Sequence, residues 1–413
     1  MRSLAIVDTT LREGEQFSGA FFTLEQRLHI ARLLDAIGVT YLEVPSPISS
    51  PETTQAIRAL CGLELRARVL AHVRCVEADV QAALDTPVYG LNLFFGTSAQ
   101  LRSFSHGRHI DQIIADAVPL VKKVSAAGRY VRFSAEDAFR SDIVDLLTVF
   151  DAVVDAGVQR IGLPDSVGIA TPRQVERLIR ICAERYPNVG IEFHAHNDTG
   201  CAIANTIAAF EGGADALDVT VLGIGERNGI ASLSGIIAQL YIHYPEMLSE
   251  YDLSRLVELD QYVARCLNID IPFNMPITSA YAFAHKAGVH TKAVLRNPRA
   301  YEILDPADFG LARSIQVGSR LTGRYAVGHR ASVLGFQLSG DEILHLTQAL
   351  KGRAEEGSLS QDEVDAFIRN WVSIPNGLRK DIDSHYLPRG KVYTQNPHEP
   401  SENTPGCSER MKL

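Results

Sequence analysis

Between the N-terminus and about residue 245, eight short β-branched runs alternate with amphipathic helical patterns, a rhythm that very few architectures accommodate. The strand candidates are 4–8 (LAIVD), 40–44 (TYLEV), 67–73 (ARVLAHV), 90–95 (GLNLFF), 129–134 (RYVRFS), 159–163 (QRIGL), 190–196 (GIEFHAH) and 216–222 (ALDVTVL). Between them, stretches such as 24–37 and 173–186 repeat apolar residues every three or four positions, as a helix covering one face of a sheet must. Glycine closes several helices just before the next strand, in AIGVTYLEV and DAGVQRIGL, where a left-handed cap is expected. Eight such pairs predict an α/β fold with a closed parallel (β/α)8 TIM barrel. An open doubly wound sheet would more often carry six strands and a GxGxxG turn after the first, which is absent here.

A barrel uses roughly 250 residues, so a chain of 413 must build something more. The reading assigns 1–270 to the barrel and the turn-rich segment 271–320 to a linker subdomain. Helical patterns return in DEILHLTQALKGRAEEG and SQDEVDAFIRNWV, so 321–385 is a small helical C-terminal domain, and the polar stretch 386–413 is expected to be disordered. With 46% hydrophobic and 22% charged residues and no long apolar run, the chain is not expected to enter a membrane. The start MRSLAIVDTT lacks the features of a signal peptide, and a cytoplasmic location is expected. Six scattered cysteines without a CxxC pair point to reduced thiols rather than a disulfide framework or zinc ribbon. The net charge of −9 disfavours nucleic acid, so the expected partners are small molecules held by local charge.

In a barrel, reactive groups gather where strands end and βα loops begin. Residues 8–16 (DTTLREGEQ) bring Asp8, Arg12, Glu13 and Gln16 to the exit of the first strand, and 192–198 (EFHAHND) stand at the exit of the seventh. Side chains two apart on a strand share a face, so Glu192, His194 and His196 should all point into the barrel if the apolar alternates pack outward. Two imidazoles with Glu13 make a ligand set for a divalent ion acting as a Lewis acid, and zinc, manganese, magnesium and cobalt all suit it. An isolated HxH equally describes two core histidines; its position at a barrel strand end is what favours ligation.

Taken together, DTTLREGEQ, HAHNDTGCAIAN (194–205), VLGIGERNGI (221–230) and HKAGVHTKA (285–293) resemble the homocitrate synthase branch of the family that also contains isopropylmalate synthases, over about residues 4–375. The resemblance implies a Claisen condensation of acetyl-CoA with a 2-oxo dicarboxylic acid, and a metal held by Glu13, His194 and His196. It implies that Arg12 polarises the ketone, that Arg132 and Ser134 grip a distal carboxylate and that Glu136 sits near the acetyl group. Gln16, Glu43, His72, Asn92, Arg102 and Ser166 would be further substrate contacts. His290 would be the base, delivered with Tyr301 from the partner subunit of a homodimer. Arg320, Arg324 and Arg330 form a basic stretch that suits CoA phosphates or a solvated surface equally.

The chain departs from the pattern near the 2-oxo acid. Asn92 stands where homocitrate synthases of lysine biosynthesis usually carry an acid, which predicts weak or absent inhibition by lysine. Pro164 and Ser166 replace a more usual alanine and threonine. These changes leave 2-oxoglutarate the first expectation and open phosphonopyruvate or oxaloacetate as alternatives; a lyase or a non-catalytic relative is the more distant rival.

Overall fold

The computed structural model describes residues 4–375 and Arg379, which leaves the expected tail at 386–413 outside the described residues. The described residues form two compact units, one holding those up to Phe283 together with Glu302–Arg313, the other Ala284–Tyr301 and the described residues from Ser314 onward. The segment 271–320 thus contributes to both.

The first unit is a closed parallel barrel in chain order, with β1 (Ala5–Asp8) paired to both β2 (Tyr41–Val44) and β8 (Ala216–Val219). Between them run β3 (Arg68–Arg74), β4 (Gly90–Gly96), β5 (Tyr130–Glu136), β6 (Arg160–Asp165) and β7 (Gly190–Ala195). The principal helices are α1 (Leu24–Ile37), α2 (Pro51–Cys61), α3 (Glu77–Leu84), α4 (Ile110–Ala126), α5 (Ile143–Asp155), α6 (Pro172–Arg185), α7 (Ala202–Gly212), α8 (Leu233–His243) and α9 (Leu256–Leu267). Local chemistry sets their ends. Thr23 and Gln26 form a capping box at the start of α1, and Gly38, at φ 112°, closes it in the left-handed region.

Two strands end earlier than their sequence pattern suggests. β7 stops at Ala195, and His196 pairs instead across an isolated bridge with Ile230. β8 stops at Val219, because the chain turns at Val221–Gly223 with Leu222 at φ 59°.

The period-two alternation divides each strand between two environments. Ile191, Phe193 and Ala195 face outward into the main core with the helices, whereas Ala5, Val7, Tyr41, Leu70 and Ala216 form a small apolar plug inside the barrel. Above that plug the inward positions turn polar: Glu43, Asn92, Arg132, Glu192 and Asp218 are all at most 2% exposed. The barrel is therefore filled at one end by side-chain packing and continued by buried charge.

In the second unit, β9 (Ala284–His285) pairs in parallel with β10 (Ser314–Ile315). Helices α10 (Gly288–Arg296) and α11 (Arg324–Val333) approach each other at glycine: a Cβ on Gly323 would lie 2.7 Å from the Gly288 Cα. Helices α12 (Gly340–Arg353) and α13 (Gln361–Ser373) each begin with a serine capping box and enclose Leu346, Leu350, Val364, Ile368 and Trp371.

Candidate active site

One cavity at the barrel mouth gathers most of the expected residues: Arg12, Glu13, Gln16, His72, Asn92, Ser134, Glu136, Ser166, His194 and His196 all line it. Ligand atoms of Glu13, His194 and His196 lie within 4.8 Å of one another. Two strand ends supply them, since Glu13 follows β1, His194 is on β7 and His196 lies just beyond it.

Neighbours orient two members of the trio, His194 and Glu13. His194 Nδ1 meets Asp218 Oδ2 at 3.0 Å, which leaves Nε2 as its free ligand atom. His196 Nε2 lies 3.9 Å from Glu13 Oε1, and its Nδ1 is buried without a partner among the described residues. Glu13 Oε1 accepts the Glu226 N–H at 2.9 Å, and its Oε2 accepts Arg12 Nη1 at 2.5 Å. With its amide turned to satisfy its surroundings, Gln16 donates to Glu13 Oε2 at 2.7 Å. Gly225 is required beside this carboxylate, because a Cβ there would stand 2.8 Å from Glu13 Oε1.

The donor chemistry fits a divalent ion. Burial, with Arg12 assisting, pushes His194 down to about 4 despite the opposing carboxylates, and burial with the His194 charge does the same to His196. Burial works against the charge of Glu13, but Arg12 and the two histidines outweigh it and hold the carboxyl below its ordinary value. Two neutral imidazoles and one carboxylate at neutral pH are what a borderline ion requires. Zn2+ affinity should therefore stay nearly flat from pH 8 to 6, because proton competition at the two rings sets in only as pH falls toward 4. Chelator competition across that range checks this, and a steep loss centred near 6.5 would contradict it.

Beneath the trio lies a charge network. Arg132 Nη1 and Nη2 donate to Glu192 and Glu43, and Arg12 Nε donates to Glu43 Oε1 at 2.8 Å. Burial opposes the charge of Glu43, yet Arg132 and Arg12 hold its carboxyl well below the usual range. For Glu192 burial prevails over Arg132 and raises it, with Asp218 as its hydrogen-bond neighbour. Asn92 joins this floor to the cavity, with Nδ2 3.0 Å from Glu43 Oε2 and 2.8 Å from His72 Nδ1, and with Oδ1 accepting Ser134 Oγ at 2.9 Å.

Not every expected contact reaches the cavity wall. Arg132 and Glu43 lie in the floor, with both Nη groups of Arg132 already engaged by carboxylates. Arg102 pairs with Asp145 at 3.0 Å instead. His290 and Tyr301 belong to the second unit, where their ring centroids are 4.4 Å apart. There Arg330 is engaged by Asp365, with Nε to Oδ1 at 2.7 Å. Conversely, Phe94, Asp218, Glu226 and Arg227 line the cavity without having been singled out from the sequence. Phe94 was accessible to that reasoning: two residues beyond Asn92 on β4, it shares the inward face and stacks on His72 at 4.3 Å.

Comparison with known proteins agrees with the geometry. The HMGL-like family profile matches residues 3–263, and the homocitrate synthase post-HMGL domain-like profile matches 277–358. The chain is 45% identical over 382 residues to the cytosolic isozyme of homocitrate synthase from Saccharomyces cerevisiae, covering 92% of this chain and 89% of that one. It is 37% identical over 352 residues to a homocitrate synthase of Sulfolobus acidocaldarius, covering 84% and 75%. A hydroxymethylglutaryl-CoA lyase from Pseudomonas aeruginosa shares the fold, at TM-score 0.58 and 20% identity over 71% of this chain and 98% of that one. Together with the barrel and its trio of potential ligands, these matches make the chain an enzyme of the homocitrate synthase family, on the HMGL-like TIM barrel.

Proposed function

We propose that this enzyme is an acyltransferase that condenses acetyl-CoA with a 2-oxo dicarboxylic acid, foremost 2-oxoglutarate, to give homocitrate and CoA. The observation that carries the reading is the buried Glu13, His194 and His196 trio beside Arg12, in a chain 45% identical to homocitrate synthases over most of its length. A divalent ion held by that trio would supply Lewis acidity toward the keto oxygen.

The protein groups have distinct tasks. His290, assisted by Tyr301 and Glu136, takes a proton from the acetyl methyl group, and the resulting enolate carbon bonds to the keto carbon. Burial raises the Glu136 carboxyl, with Asp137 adding to the effect, which suits a group that exchanges protons. Arg12 stabilises the keto oxygen as it becomes an alkoxide. Hydrolysis of the thioester then releases CoA. His72, Asn92, Ser134 and Ser166 bind the 2-oxo acid, with Arg132 and Glu43 supporting them from below. In this reading the enzyme is a cytoplasmic homodimer whose base comes from the second unit of the partner protomer. No helix among the described residues is long and apolar enough to cross a membrane.

A second reading of the substrate, phosphonopyruvate or oxaloacetate, is favoured by Asn92. As a neutral amide between Glu43 and His72, it leaves the floor one negative charge poorer than a carboxylate would. That change eases the approach of the more anionic phosphonopyruvate, gives no charge-based preference to oxaloacetate, a dianion like 2-oxoglutarate, and removes a partner for a cationic inhibitor. Thiol release from acetyl-CoA across a panel of 2-oxo acids, with and without Zn2+, tests the function. Metal-dependent release with 2-oxoglutarate is the expected result, and lysine should inhibit it weakly or not at all. Release only with phosphonopyruvate or oxaloacetate would reassign the substrate, and no release with any acid would refute the condensation.

A further inference from the structure

One side chain ties together three loops at the cavity mouth. Arg227, after β8, donates Nε to Asp198 Oδ1 at 2.7 Å and Nη2 to Asp198 Oδ2 at 3.0 Å, in the loop after β7. The same Nη2 donates to the Ser166 carbonyl, in the loop after β6, at 2.7 Å. Ser166 extends the connection, since its Oγ accepts the N–H of Asp137, the residue that follows Glu136, at 2.9 Å. A continuous belt thus links the loops after β5, β6, β7 and β8.

Both ends of the belt have positive φ, 64° at Asp137 and 56° at Arg227. That conformation is disfavoured for a residue with a side chain. The ion pair offers little in return, because the Arg227 side chain is 40% exposed and water screens such pairs. Net stability therefore does not account for the arrangement. Position does: the N–H of Glu226, next to Arg227 in the chain, holds Glu13 Oε1 at 2.9 Å, while the belt's other arm holds Ser166 and the backbone beside Glu136.

We propose that Arg227 is a positioning residue that sets the spacing between the Glu13 carboxylate and the Ser166 and Glu136 side of the cavity, and through it the fit of both the metal ion and the 2-oxo acid. The substrate half of this inference rests on the condensing function proposed above; the metal half rests on the geometry alone. Because Arg227 is a cation near the trio, removing its charge without moving anything would tighten Zn2+ binding. Loss of positioning would weaken it, so the sign of the change is diagnostic.

The test compares the full-length wild type with Arg227→Met and Arg227→Lys by chelator competition for Zn2+, by CoA-release kinetics and by thermal melting. Arg227→Met is expected to bind Zn2+ roughly tenfold more weakly, as loss of an outer-shell support does. It should also raise KM for the 2-oxo acid roughly tenfold with a smaller fall in kcat, at a melting midpoint close to that of the wild type. Arg227→Lys keeps the charge but only one arm of the clasp, and should fall between. Unchanged or tighter Zn2+ binding by Arg227→Met would overturn the proposal, as would a melting midpoint that falls in parallel with affinity. A wild type that releases no CoA with any 2-oxo acid would refute the condensation reading, and the Zn2+ titration would still decide the role of Arg227.

Discussion

Replacing Arg132 with methionine is expected to destabilise the protein by about 3–5 kcal/mol, the usual effect of removing one partner from a buried ionic group. Arg132 is 1% exposed and donates to both Glu43 and Glu192 inside the barrel. Burial raises Glu192, but Glu43 is charged despite its burial and would keep only Arg12 as a close cation. A loss of this size corresponds to a fall of roughly 6–15 °C in the thermal midpoint of a large domain. The pH dependence has a definite sign. A carboxyl whose folded value is depressed stabilises the fold above its unfolded value and loses that contribution as pH falls. The gap between wild type and Arg132→Met should therefore hold its full size above the ordinary carboxyl value of 4.5 and narrow only as pH falls below it. Melting curves at several pH values check this, and a variant that melts with the wild type at pH 8 would show that the network contributes nothing net.

The second large effect is expected at the trio. Glu13→Gln and His196→Ala should each lower metal-dependent CoA release by at least about 10³-fold, since the Lewis acidity at stake is worth several kcal/mol. Zn2+ retention through gel filtration should be lost in both, while far-UV circular dichroism remains that of the wild type. Asp218→Asn should act more mildly, by roughly 10–100-fold, because Asp218 acts on the trio through His194, by the 3.0 Å contact at Nδ1. Full activity in His196→Ala would remove that residue from the metal site, whatever its position.

The strands could be located from the sequence because their signal is local. Two-residue alternation at Ile191, Phe193 and Ala195 against Glu192, His194 and His196 is present in the chain before any folding, and it assigns one set to the helices and the other to the interior. The trio was legible for the same reason, since strand exits in a barrel converge wherever the strands are found. Arg102 and Arg132 illustrate the limit. Their charge suits an anionic substrate equally well in either case, yet one meets Asp145 and the other two carboxylates of the barrel floor. Nothing near them in the chain announces those partners, which stand 43, 60 and 89 positions away. The loop at Gly225–Arg227 is a similar case: its motif was visible, but its contact with Glu13 spans 213 positions.

Periodicities, caps and strand exits, and with them the barrel and the residues at its mouth, are written in the chain because they depend on neighbours within a few positions. Which charges cancel one another in the floor, which loops the Arg227 belt holds and how 284–313 is divided between the two units emerge only on folding. Those outcomes depend on distances across a closed ring, where a buried charge takes the partner that barrel closure brings within reach, and sequence separation carries no information about that distance.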